Sequence, residues 1–379
     1  MTLTRREILV ALTAAGVGLA TGCTGDDDPD ATPTTRPTTE PSASPSATTP
    51  SPSPTAPADP TALRITGTVA EGLTVPWGIA FLADGSALVT ERDTARVLAV
   101  GTGGVRTVGE VPGVDTDSGE GGLMGIVTTP DERTVIACFT SAEDNRIVAM
   151  SFDGRRLGRP RVLLDGIPRA MNHNGGRLVI GPDGLLYAST GDAGVRERAQ
   201  DVDSVAGKIL RMTLDGKAAR GNPFDNRVWS YGHRNVEGLA FDSDGRLWAS
   251  EFGDQSTDEL NLIERGGNYG WPQTEGPTEA RGIIGPKAWW STDDASPAGV
   301  GIAYGTAYVA ALRGQCVWAV PLAGDAARRP RRRLADEDLG RIRNVVPAPD
   351  GTLWVTTSNT DGRGDPRGGD DKILQVTVG

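Results

Sequence analysis

The chain has 379 residues, 37% of them apolar, and a formal net charge of −11. That length suits one large domain or two medium ones, and the apolar share fills a core without supplying a membrane span beyond the N-terminus. The acidic balance argues against a nucleic-acid partner, whose affinity comes mostly from a basic face, but a local arginine cluster can still hold an anion at short range.

Arg5 and Arg6 precede an uncharged apolar run, Ile8 to Ala20. At about 13 residues it is too short to span a bilayer and suits the apolar region of an export signal. Thr4-Arg5-Arg6-Glu7-Ile8-Leu9 resembles a twin-arginine signal, and Ala20-Thr21-Gly22-Cys23 resembles a bacterial lipobox. Residues 1–23 are therefore expected to be a signal, with Cys23 lipidated and the protein tethered at the outer face of the cytoplasmic membrane or cell envelope. The alternative is a cleaved secretory peptide with an incidental Cys. Residues 24–62, acidic at first and then almost entirely Pro, Thr, Ser and Ala, form an expected disordered linker. At ~3.1 Å per residue it would reach on the order of 100 Å.

From Leu63 onward glycine is frequent, helical periodicity is nearly absent, and one strand–turn–strand unit recurs. Gly78-Ile79-Ala80-Phe81 leads through Asp84-Gly85 to Ala87-Leu88-Val89-Thr90. Related units start at Met124, Arg177, Gly238, Gly301 and Asn344. The Asp-Gly pairs supply the positive φ of tight hairpins, and a further strand pair follows each unit, as at Arg96–Val100. Val205–Leu214 reads as strand because Gly207 interrupts any helix. Six units at about 40 to 60 residues predict an all-β, six-bladed β-propeller with four-stranded antiparallel blades over residues 63–379. A pair of β-sandwiches would not explain so regular a repeat. Cys138 falls in the second unit and Cys316 in the fifth, on opposite sides of the ring and beyond the ~7 Å Cα limit of a disulfide.

Propeller loops bring distant residues to one site over the central channel. The chain has two histidines. His173 lies in Met171-Asn172-His173-Asn174-Gly175-Gly176-Arg177-Leu178 and His233 in Ser230-Tyr231-Gly232-His233-Arg234-Asn235, both loops entering strands, where functional groups concentrate. Arg341-Ile342-Arg343 should place two guanidinium groups on one face, a ledge suited to carboxylates or phosphates, with Ile342 packed behind. Glu251-Phe252-Gly253-Asp254-Gln255-Ser256-Thr257-Asp258-Glu259-Leu260-Asn261 gathers hard oxygen ligands of the kind that suit Ca²⁺.

These segments occur in the order Pro76-Trp77-Gly78, Gly119-Glu120-Gly121-Gly122-Leu123, His173–Leu178, Gly207-Lys208-Ile209-Leu210-Arg211, Trp229–Asn235, Asp258–Ile263, Asn268–Pro272 and Arg341–Arg343. Over nearly all of residues 70–378 the chain resembles the soluble PQQ-dependent glucose and aldose sugar dehydrogenases, the glucose/sorbosone dehydrogenase group. The resemblance implies oxidation of an aldose at the anomeric carbon to the lactone, with PQQ and Ca²⁺ as cofactors. His173 is implied as the base on the anomeric hydroxyl. Arg234, Asn235, Arg313, Arg341 and Arg343 are implied on the quinone, Arg343 also stabilising its developing charge. Gly253 and Asp254 are implied to hold the catalytic calcium by their carbonyls, and Asp258, Glu259 and Tyr269 to be structural calcium ligands. The electrons would pass to an external quinone or cytochrome.

Arg313 stands where the family usually has a Lys, keeping the charge but changing its shape. Glu120 and Ala193 replace Gln, and Asn172 replaces the Asp that contacts sugar in the glucose enzymes. Glu120 and Asn172 are thus candidate substrate residues of a pocket unlike that of a glucose enzyme. Two other functions fit such a propeller: a tethered binding module without turnover, which need not take up PQQ, and a calcium-dependent hydrolase of the lactonase type, which would act without it.

Overall fold

The computed structural model describes residues 57–379. The expected signal, the expected lipidation at Cys23 and the expected linker up to residue 56 lie outside the described residues. Among the described residues no helix is long and apolar enough to cross a membrane.

Six antiparallel sheets follow one another along the chain. Blade 1 is Pro76–Phe81, Ala87–Glu91, Arg96–Gly101 and Gly104–Glu110. Blade 2 is Leu123–Thr128, Thr134–Thr140, Asn145–Ser151 and Arg161–Ile167. Blade 3 is Leu178–Ile180, Leu186–Ser189, Lys208–Met212 and Val228–Tyr231. Blade 4 is Val236–Phe241, Leu247–Glu251, Thr257–Ile263 and Ala288–Ser291. Blade 5 is Pro297–Ala303, Thr306–Ala311 and Cys316–Ala323, edged by Ala326–Ala327 and Arg331–Arg333. Blade 6 is Ile342–Pro347, Leu353–Thr357 and Ile373–Val378, and it takes its outermost strand, Leu63–Ala70, from the start of the domain. Leu63 pairs with Val378 and Ala70 with Ile373, so the two ends of the ring close in one sheet. First strands of successive blades pack on one another, and the last on the first. This is the expected six-bladed propeller.

The hairpins show why Asp-Gly recurs. Asp84, Asp183 and Asp350 each accept the backbone N–H two residues on, at 2.8, 3.1 and 2.9 Å, while Gly85, Gly184 and Gly351 take φ of 83°, 74° and 83°. The carboxylate fixes the bend, and the glycine supplies the left-handed step that a Cβ would oppose. Six apolar clusters then fill the six clefts between neighbouring blades, as where Leu88 and Val97 of blade 1 meet Ile126 and Val135 of blade 2. Cys138 and Cys316 are buried free thiols in blades 2 and 5.

The linker expectation overshoots at its C-terminal end. Thr61 is buried, Pro60 accepts a hydrogen bond from the Tyr308 hydroxyl at 2.6 Å, and Arg333 Nε donates to the Thr61 carbonyl at 2.7 Å. Composition conceals these contacts because their partners lie about 250 residues away.

Candidate active site

His173 sits in the loop entering blade 3 with φ of 57°, a left-handed conformation costly for a residue with a Cβ. Several contacts hold it there. Its backbone N–H donates to Glu120 Oε2 at 3.1 Å, and its Nδ1 lies 2.7 Å from Asp192 Oδ1. Asp192 is fully buried and also accepts from the Gly194 N–H at 2.8 Å and from Trp271 Nε1 at 2.8 Å. Burial works to raise the Asp192 carboxyl, but the hydrogen bond and charge of His173, helped by these donors, hold it below the usual carboxylate range. An ionised Asp192 keeps the ring proton on Nδ1 and leaves Nε2 with its lone pair, the tautomer of a general base. Residue 191 must be glycine here, since a Cβ would lie 2.0 Å from the His173 carbonyl oxygen.

His233 has another role. It is fully buried, stacked on Tyr269 with ring centroids 4.7 Å apart, and bonded through Nδ1 to Glu251 and through Nε2 to Ser230. Neither ring nitrogen is free for chemistry.

Glu120 links His173 to a cavity of about 350 Å³. Five arginines line it, Arg92, Arg313, Arg341, Arg343 and Arg363, against three carboxylates, Glu120, Glu237 and Asp361. The chain is acidic overall, yet five arginines gather at this cavity, Arg92 being paired with Asp93 at 2.5 Å beside it. Arg341 and Arg343 do project together, sharing Asp361 Oδ2 at 2.9 and 3.3 Å, with Ile342 buried behind them. Arg343 also pairs with Glu237 at 2.7 Å, and Arg363 with Glu120 at 2.9 Å. Arg313 reaches the cavity from blade 5 but is largely exposed and pairs with Asp293 at 2.7 Å.

Arg234 packs over Trp271 and bonds Asp254 at 3.0 Å, leaving its buried Nε without a partner in the chain. Asn235 is buried and accepts from the Gly175 N–H at 3.0 Å, so it braces the His173 loop. Asn172 is exposed beside His173, and Ala193 is buried with its N–H on the His173 carbonyl at 3.3 Å.

The acidic segment follows in blade 4. The two oxygens of Asp258 accept the N–H groups of Gly253, at 2.9 Å, and Ser296, at 2.6 Å, and burial pushes its carboxyl up to about 6. The Tyr269 hydroxyl donates to the Leu262 carbonyl at 2.6 Å and accepts the Glu264 N–H at 2.7 Å. Both side chains are thus engaged within the chain. Glu251, Glu259 and Glu275, which also accept hydrogen bonds within the chain, line a void of about 10 Å³, the size of one small occupant. Burial, and then the charge of Glu251, raise the Glu259 carboxyl well above its ordinary value, and the buried Asn261 Oδ1 nearby lacks a donor. Crowded carboxylates and an orphaned amide oxygen suit a hard cation such as Ca²⁺. Among the described residues, no three acidic, His or Cys side chains already stand in metal-binding geometry.

Sequence reasoning missed Asp192 and Trp271, which orient His173, and Glu237 and Asp361, which orient the arginines. Asp192 had a local signal, adjacency to Gly191 at the end of a strand. Glu237 had none, because Arg343 sits in another blade, and Asp361 had none, because it lies in a loop 18 to 20 residues beyond the arginines it holds.

The chain matches the family "Glucose / Sorbosone dehydrogenase" over residues 73–366. It is 31% identical over 331 residues to the aldose sugar dehydrogenase YliI of Escherichia coli, covering 76% of this chain and 88% of that one. The solved PQQ-bound aldose sugar dehydrogenase of Streptomyces coelicolor is 50% identical with a TM-score of 0.82, covering 86% of this chain and 100% of that one. A putative oxidoreductase (glucose dehydrogenase) from Thermus thermophilus is 41% identical with a TM-score of 0.78, covering 83% and 100%. With His173, its carboxylate and the arginine-lined cavity assembled on that fold, the chain belongs to the glucose/sorbosone dehydrogenase family.

Proposed function

We propose that the protein is a PQQ- and calcium-dependent quinoprotein that oxidises an aldose-type sugar at the anomeric carbon to the lactone. When bound, PQQ supplies the two-electron quinone that accepts the hydride. His173 takes the proton of the anomeric hydroxyl on Nε2, and the ionised Asp192 faces the imidazolium that results. Arg341 and Arg343 offer planar forks to the carboxylates of the cofactor, and Arg343 faces negative charge as it develops there. Arg234, with its free buried N–H, and Arg313 extend that anion site, while Asn235 keeps the His173 loop beside it. The carbonyls of Gly253 and Asp254 would face the catalytic calcium, and Glu259, with Glu251, a structural one. Glu120 touches both the His173 backbone and Arg363, and with Asn172 it would face the sugar. The protein would act outside the cytoplasmic membrane, lipid-anchored at Cys23, and pass electrons to an external quinone or cytochrome.

The observation that carries the proposal is a histidine held through Nδ1 by a buried carboxylate and linked through Glu120 to a cavity lined by five arginines in an acidic protein. The test is calorimetric titration of PQQ into residues 57–379 with Ca²⁺. One PQQ per chain at micromolar affinity or tighter is expected. Absence of binding with calcium present would overturn the cofactor assignment.

A further inference from the structure

Next to the cavity lies one buried cationic side chain that the mechanism above does not use. Arg177 is the residue before the first strand of blade 3, and it is buried. Its guanidinium lies flat on Trp77 of blade 1, 4.0 Å from the ring centroid. Its Nε donates to the Glu237 carbonyl at 2.7 Å. Nη2 is buried without a partner in the chain, and no carboxylate forms an ion pair with the group. Burial pushes its pKa down to about 9, against the charge of Glu237, so it stays cationic at neutral pH.

An unpaired buried cation is expensive and persists where something nearby repays it. What lies nearby is the arginine ledge. Glu237, anchored through its carbonyl by Arg177, holds Arg343 through its carboxylate at 2.7 Å. Glu237 lines the cavity, and Arg177 reaches its backbone from outside that lining. Arg177 also lines a second cavity, bordered by the first strands of all six blades.

We propose that Arg177 is a positioning residue for the anionic cofactor: through Glu237 it fixes Arg343 toward the cavity and adds an uncompensated positive charge next to it. The field favours a polyanionic ligand and, more strongly, its reduced and more negative form. The inference rests on the cofactor assignment above, so its test also uses citrate, a plain polyanion, on the apoprotein.

The experiment compares wild type, Arg177→Met, which keeps the length, and Arg177→Lys, which keeps the charge. It measures PQQ affinity, the midpoint potential of the bound quinone, citrate affinity and the thermal midpoint, with a crystal structure of apo Arg177→Met. The Met variant should bind PQQ and citrate about tenfold more weakly. Its quinone potential should fall, Arg343 should turn away from Glu237, and Lys should restore most of the loss. A folded Met variant with wild-type affinities, potential and Arg343 position would overturn the role of Arg177 and leave the cofactor assignment intact. If wild type takes citrate in an Arg177-dependent way but no PQQ, the cofactor assignment falls and the positioning role stands. If the Met variant does not fold, Arg177→Gln, which keeps a donor for the Glu237 carbonyl but no charge, decides: a lowered potential and weaker citrate binding support the role, and wild-type values overturn it.

Discussion

At the scale of single residues, the site is held in place by carboxylates. Asp192 fixes the tautomer of His173 and keeps its ring in line. Asp192→Asn would leave the packing nearly intact but offer an amide that can stabilise the wrong tautomer. We expect kcat to fall by roughly 10²–10⁴-fold with little change in PQQ affinity. Steady-state kinetics beside a cofactor titration would check it. The same carboxylate has a stability signature. Its pKa is lower in the folded state than in the unfolded chain, so its contribution is fully present above the unfolded value near 4 and is lost as pH falls through the folded value. Denaturant unfolding of the two proteins should therefore differ most near neutrality and converge under strong acid.

The elements show how loops become precise. The loop within blade 3 that carries Asp192 also carries the Arg196–Ala199 turn, and Lys208 ties it down. The Lys208 Nζ donates to the carbonyls of Arg198, Ala199 and Ala206, at 2.7, 3.0 and 2.6 Å. In blade 4, the carboxyls of Glu251 and Glu259 are buried together, and burial with the charge of Glu251 disfavours an ionised Glu259 unless a cation sits between them. Metal-stripped protein should gain at least ~3 °C in thermal midpoint on saturation with Ca²⁺. Glu259→Gln should be more stable than wild type without calcium and respond little to it; equal calcium responses in a melting experiment would count against this site. The strands and Asp-Gly hairpins of these elements were legible in the sequence, because alternation and turn chemistry are local. The engagement of Asp258 by the backbone of Gly253 and Ser296 was not, because Ser296 lies 38 residues away and only folding sets that distance.

For the whole molecule, closure is the governing fact. The Leu63–Ala70 strand completes blade 6, and Ile65 packs into the cleft between blades 5 and 6. Ile65→Asp, which places a charge against that apolar cluster, should cost about 2–4 kcal/mol in denaturant unfolding. A surface-like change below ~0.5 kcal/mol would mean the N-terminal strand does not hold the ring. The repeat count revealed the six blades, but not which segment would close them, since the closing strand reads like any other. Likewise the order of segments pointed to His173 and to the Arg341–Arg343 ledge, while Glu237 and Arg177 emerged only when the ring brought blades 3, 4 and 6 around one channel. The overall charge of −11 gives no sign of the five arginines that only the closed ring gathers around one cavity.

The most direct test is a stopped-flow record of PQQ-loaded, calcium-replete protein mixed with a panel of aldoses, following the absorbance of the bound quinone, with His173→Gln alongside. Wild type should reduce its quinone with at least one aldose, and the variant, cofactor still bound, should be slower by roughly 10²–10⁴-fold. A variant that reduces its quinone at the wild-type rate would contradict the assignment of His173 as the base. A wild type that binds PQQ but is reduced by no aldose would contradict sugar oxidation itself.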